Sequence, residues 1–157
     1  MTEEHPMSGD VEALRDVLHR AIARYLNVRP GGFELQQGQR LRPVVEARIL
    51  GYGGARTFYQ DRQPVCRSLD GLRPVTGDTE RVCRECHARA RCTSQVRVDL
   101  IVERRPFRLL LAYSSARAFL AYDAELRQRR VAIEHVLTKI TVVNRRTWGE
   151  LRFSARD

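Results

Sequence analysis

A small α+β domain is the fold class this sequence predicts: a β-barrel interrupted by a cysteine-rich insert and preceded by a helix. Three observations predict it. Apolar residues recur at helical spacing near the N-terminus, and alternating apolar stretches flank a single further helix-like stretch in the C-terminal half. Between the strand-like stretches, residues 62–94 hold few aliphatics, several turn residues and all four cysteines. A segment of that kind cannot fold around a hydrophobic core of its own and needs a staple or a metal.

The elements follow in order. In DVEALRDVLHRAIARYL (10–26), Val11, Leu14, Leu18, Ile22, Tyr25 and Leu26 form one apolar stripe, Ser8 or Asp10 caps the start, and Pro30-Gly31-Gly32 stops the helix. The stripe predicts packing on the main body, on a partner protein or on a second copy. Gly38 marks a turn between Phe33–Leu35 and an alternating strand, Val44–Leu50. The three glycines of GYGG (51–54) allow tight bends or close backbone approach after that strand. Beyond the insert, Gln95–Glu103 alternates Val96, Val98, Leu100 and Val102 on one face. Arg104-Arg105-Pro106 turns the chain into a buried strand, Phe107–Tyr113. Ser114 or Ser115 caps a helix through Arg129 with Ala118, Phe119, Tyr122 and Leu126 inward. Two strands, near Val136–Val143 and Thr147–Phe153, complete the chain around Asn144-Arg145-Arg146. Strand, insert, strand, strand, helix, strand, strand is the order of the OB-fold, with the insert between its first and second strands. The expected organisation is an N-terminal helix (1–30) and an OB-like nucleic-acid-binding domain (31–157) with the metal insert at about 62–94.

The cysteines, Cys66, Cys83, Cys86 and Cys92, are spaced C-x16-C-x2-C-x5-C. Cys83, Cys86 and His87 spell the attachment sequence of a covalent haem, but that reading leaves Cys66 and Cys92 idle and normally requires export. A redox pair expects its C-x-x-C beside a βαβ pattern, which this polar insert lacks. Two metal readings stay open. Zn2+ takes four thiolates and often uses a C-x-x-C knuckle with a distant pair. An iron–sulfur cluster also takes four cysteines, and the C-x2-C-x5-C tail is similar to the cluster loop of some DNA-repair glycosylases. His87 adjoins a ligand and reads as a basic surface group.

Charge points to the partner. The chain carries +9 formally, and the excess lies almost wholly beyond residue 40, in arginine rather than lysine. Such a chain favours polyanions through counterion release, and arginine both forks onto phosphates and stacks on bases. No apolar run reaches the roughly 18–20 residues of a membrane span, and the acidic start lacks the order of a secretory signal. A cytoplasmic protein without a membrane partner is expected.

Enzyme chemistry finds little support. Four cysteines would close a zinc shell that catalysis needs open. The H-x-E and P-C-x-x-C pattern of zinc deaminases, the P-loop and the G-x-S-x-G elbow are all missing. Asp61, Asp70, Asp78 and Glu85 read as turn and loop residues rather than a nuclease site.

The stretches PVCRSLDG (64–71), CRECHARARC (83–92) and RPFRLLLAYSSARAFLAYDAEL (105–126) together carry a resemblance. The chain resembles small zinc-ribbon-bearing single-stranded-DNA-binding proteins of phages and mobile elements, over about Phe33 to Phe153. The resemblance implies that Cys66, Cys83, Cys86 and Cys92 are the metal ligands, that the body is OB-like, and that the protein serves replication or recombination. It does not account for the N-terminal helix.

A single-strand binder pairs a basic groove with aromatic faces for the bases. The phosphate candidates are Arg56, Arg62, Arg67, Arg84, Arg89, Arg91, Arg104, Arg105, Arg145 and Arg146. Taken singly, each is an ordinary surface charge; their clustering carries the expectation. Tyr52, Phe58, Tyr59 and Trp148 are the stacking candidates, since they lie beside glycines and arginines, with hinge or core packing as the plain alternative. The expected function is non-catalytic, sequence-tolerant binding of single strands, DNA favoured over RNA. The alternative is an adaptor that docks to a partner protein through helix 10–26.

Overall fold

The computed structural model describes residues 24–77, 80–145 and 148–156. Most of helix 10–26 therefore lies outside the described residues. Its last three positions do not continue a helix. The Leu26 N–H donates to the Arg108 carbonyl at 2.9 Å, and the Arg108 N–H donates to the Arg24 carbonyl at 2.8 Å, so Arg24–Leu26 runs extended and parallel beside Arg108. Leu26 is buried in the core, and a strand edge that satisfies its neighbours' backbone groups outweighs local helical periodicity.

Strands β1 (Asn27–Arg29) and β2 (Gly32–Glu34) form a hairpin closed by Pro30 and Gly31, so the expected helix stop is a strand turn. Gly31 and Gly32 both hold positive φ, and a Cβ on Gly32 would lie 2.4 Å from the Arg42 carbonyl oxygen. Only glycine fits where Phe33 and Arg42 exchange both backbone hydrogen bonds.

The main sheet is antiparallel and seven-stranded. β3 (Val44–Gln60), β4 (Gln63–Ser68), β5 (Pro74–Thr76), β6 (Thr93–Val102) and β7 (Arg105–Leu111) run in the order β5-β4-β3-β6-β7. β8 (Leu137–Arg145) pairs with β3, and β9 (Trp148–Ala155) with β8. The strand expected at Val44–Leu50 runs on through its glycines to Gln60. A register shift between Ile49 and Gly51 bends it, and bare Gly53 leaves room for the Arg97 guanidinium, 3.1 Å from where a Cβ would sit. Glycine here bends a strand rather than ending one. The expected insert likewise begins as sheet, since β4 hairpins back onto β3.

Two further tight hairpin turns each place two non-glycine residues in the left-handed region. These are Asp61 and Arg62 between β3 and β4, and Glu103 and Arg104 between β6 and β7. The second turn sits one residue earlier than expected, and Arg105 and Pro106 belong to β7.

Helix α1 (Tyr113–Gln128) starts from Ala112 without a side-chain cap. Ser115 is not the cap expected of it; its Oγ accepts the Leu151 N–H at 3.1 Å. Phe119, Tyr122 and Leu126 are buried, and Phe119 meets Tyr52 and Phe153 edge-on at 5.0 and 5.3 Å between ring centres. These residues join Val45, Ala47, Ile49, Val98, Leu100, Leu109, Ile140 and Leu151 in one core. The fold is thus α+β, a mostly antiparallel sheet around one helix. Among the described residues no ladder joins β7 to β9, so the expected barrel is not closed.

Candidate metal centre and nucleic-acid interface

Cys66 lies on β4, paired opposite Phe58 of β3. Cys83 opens a one-turn 3-10 helix (Cys83–Glu85), anchored where its N–H donates to the Leu72 carbonyl at 2.8 Å. The turn closes as the Cys86 N–H donates to the Cys83 carbonyl at 3.2 Å, which sets the C-x-x-C pair on one knuckle. A second such turn (Arg89–Arg91) delivers Cys92 to the start of β6. All four cysteines line a single cavity of about 220 Å³, together with Phe58, Val65 and Pro74.

No disulfide joins the four cysteines. Burial pushes the Cys92 thiol up, the neighbouring Cys86 adds to this, Arg56 opposes it, and Cys66 and Cys83 push the same way. Cys66, Cys83 and Cys86 are therefore each within electrostatic reach of Cys92. Arg81 Nη1 donates to Cys86 Sγ at 3.6 Å. Among the described residues, no three His, Cys, Asp or Glu side chains are gathered tightly enough to hold a metal ion as they stand. The donor set nevertheless fits a thiophilic metal: four thiols, one apolar-walled cavity, and a backbone that already presents the knuckle. His87 is exposed and does not line the cavity.

Asp70 shapes the loop leading to the knuckle. Its Oδ1 accepts from the N–H groups of Leu72 and Arg73 at 2.7 and 3.1 Å and from Ser68 Oγ at 3.0 Å. Burial raises this carboxyl, but the hydrogen bonds outweigh it and hold the group below the usual aspartate value. It is a turn residue.

The expected arginine cluster divides in two. Arg56 borders the cysteine cavity, Arg62 tips the β3–β4 hairpin, and Arg84, Arg89 and Arg91 are exposed on the knuckle turns. Phe58 is part of the cavity wall, and the Arg91 guanidinium lies 5.4 Å above its ring. Half-buried Arg67 reaches Thr57 Oγ1 at 3.4 Å and covers the Tyr25 ring at 4.9 Å. Arg104 and Arg105 lie at the other end of the ten-residue strand β6, roughly 30 Å from the knuckle at about 3.3 Å per residue. Arg145 is paired with Glu150 at 2.8 Å, and Arg146 lies outside the described residues.

The aromatic candidates divide as well. Tyr59 and Trp148 are 40% and 47% exposed. Tyr52 is taken up by α1: its hydroxyl donates to Asp123 Oδ2 and accepts from Arg127 Nη2 at 3.1 Å.

Three features escaped the sequence reading. Arg81 belongs to the knuckle. Tyr113, read as the last residue of a buried strand, is 78% exposed. Asp99, at an apparently solvent-facing position of β6, is fully buried with Arg108 at 3.0 Å and Arg97 at 3.3 Å. Period-two alternation cannot signal a second buried face. Compared with protein-family models, curated proteins and solved structures, the chain matches none.

Proposed function

We propose that this chain is a non-catalytic, sequence-tolerant single-stranded DNA-binding protein with a structural zinc site. The observation that carries the reading is the knuckle end of the sheet. There Arg56, Arg81 and Arg89 line one four-cysteine cavity, Arg84 and Arg91 stand exposed on the knuckle turns beside it, and Arg62 tips the β3–β4 hairpin. Strand order supports it. β3 pairs with both β6 and β8, β6 with β7, β8 with β9, and α1 lies between β7 and β8. That order agrees with an OB-like body, and OB-folds take oligonucleotides across their second and third strands and the loops after the first and fourth strands. The cysteine knuckle fills the first of those loops.

Cys66, Cys83, Cys86 and Cys92 would hold the zinc ion. Zinc so held supplies folding free energy to a loop too polar to fold alone, on the order of 10 kcal/mol for the binding step. The arginines it holds in place neutralise phosphates, and the exposed rings stack on bases of any identity.

Replacing Arg84, Arg89 and Arg91 together by Gln tests the reading. Each lost phosphate contact lowers the slope of log affinity against log salt by about 0.7 on single strands. The triple variant should therefore lose about 2 of slope on oligo-dT while its melting temperature holds. An unchanged slope would remove the knuckle from the interface.

A further inference from the structure

Away from the knuckle, a groove of about 790 Å³ opens between the end of β7, the first turn of α1 and the start of β9. Leu110, Leu111, Val28 and Leu151 line it together with Tyr113 and Trp148. We propose that this groove is a second contact with the bound strand, where Tyr113 and Trp148 stack on bases and Arg117 meets the adjoining phosphate. The inference rests on the single-strand reading and adds to it a place where bases sit.

Four observations carry it. The volume lies within the range of small-molecule sites, large enough for one or two nucleotides. Tyr113 and Trp148 are among the most exposed large apolar side chains, at 78% and 47%. Among the described residues neither meets another ring, whereas Tyr52, Phe119, Tyr122 and Phe153 pack against one another, edge-on at Phe119 and stacked between Tyr122 and Phe153. An exposed aromatic pair beside an apolar floor gains from burial, and base faces give that burial without demanding sequence. Lastly, among the described residues the only charged one lining the groove is Arg117, and the first turn of α1 has no acidic side chain. The groove therefore favours an anionic ligand with flat apolar faces.

The floor is fixed by close packing. A Cβ on Gly149 would stand 2.7 Å from Val142 Cγ1 and 3.3 Å from Val28 Cγ1. Val28 of the β1–β2 hairpin thus lies down on β9, and the hairpin is tied there as Gly31 N–H donates to Asn144 Oδ1 at 2.7 Å. An added peptide strand fits less well, because Arg24–Leu26 already occupies the β7 edge at Arg108. Only the short remainder of that edge, at Leu110 and Leu111, faces the groove.

The test uses the full chain and fluorescein-labelled oligo-dT. Trp148→Ala and Tyr113→Ala should each weaken binding by about 5- to 150-fold, the range set by about 1–3 kcal/mol of stacking per base. Tyr113→Phe should restore the affinity, and neither alanine variant should shift the melting temperature, since both rings are exposed. As Trp148 is the only tryptophan, its fluorescence should fall when unlabelled oligo-dT binds. A double alanine variant that binds like the unaltered chain, with no quenching in the latter, would overturn the groove and leave the knuckle interface standing. It would also turn attention to a protein segment as the occupant. Failure of the unaltered chain to bind any single strand would overturn the underlying reading instead.

Discussion

Replacing Tyr52 by Phe separates a structural tyrosine from a stacking one, because it deletes a hydroxyl and keeps the ring. In the fold that hydroxyl donates to Asp123 Oδ2 and accepts from Arg127. The Asp123 side chain is only 7% exposed, so the loss strips one partner from a nearly buried carboxylate. A hydrogen bond to a charged group contributes about 1.5–3 kcal/mol. Arg127 Nε still holds the carboxylate at 2.8 Å from a side chain that is 70% exposed, which places the loss near the lower end, about 1.5 kcal/mol. For a domain of this size that is a fall of roughly 3–6 °C in melting temperature. Circular dichroism melts would read it beside oligo-dT affinity, which should not change. Burial, and after it Asp123, raises the Tyr52 hydroxyl above the ordinary tyrosine value. Its contribution is therefore whole below about pH 10 and is lost as pH rises through the higher folded value, so the gap between the two proteins should narrow at alkaline pH. An unchanged melting temperature with weakened strand binding would refute this assignment and return Tyr52 to the interface.

Other outcomes follow from the same geometry. Cys83→Ser with Cys86→Ser should abolish zinc content by mass spectrometry and expose the 80–92 loop to protease; a metal-free chain with the loop still resistant would contradict a structural metal. Asp70→Ala removes three accepted hydrogen bonds and should cost about 1–3 kcal/mol in urea unfolding. Because that carboxyl is held below its usual value, the difference should be whole above about pH 4 and should close as pH falls through the folded value; an equal gap at pH 3 and 7 would count against it. Arg62→Gly and Arg104→Gly each relieve a left-handed non-glycine residue, worth up to about 1–2 kcal/mol of stability. Only the first should weaken oligo-dT binding, since only Arg62 stands at the knuckle end; equal losses would mean that both ends touch the strand.

Local pattern revealed much of this fold. Alternation in Val96–Val102 gave β6, the Phe119, Tyr122 and Leu126 spacing gave the buried stripe of α1, and Gly38 gave its turn. The cysteine spacing announced a knuckle, and the four cysteines do share one cavity. What was hidden depends on contacts between distant residues. Gly51 to Gly54 resemble a turn until Arg97 is seen lying over Gly53. Arg24–Leu26 has helical periodicity, but the edge beside Arg108 offers it hydrogen bonds. Asp99 looks solvent-facing until Arg97 and Arg108 close over it. The division of the arginines depends on strand direction, since β6 carries Cys92 to one end of the sheet and Arg104 to the other.

The central claim is met most directly by the affinity of the purified chain for labelled oligo-dT and for its duplex across a salt series. The account predicts tight binding to the single strand, weaker binding to the duplex, and a steep loss of affinity with salt. Equal, weak binding to both would mean that the +9 charge is a generic polyanion surface, and the single-strand reading would fall.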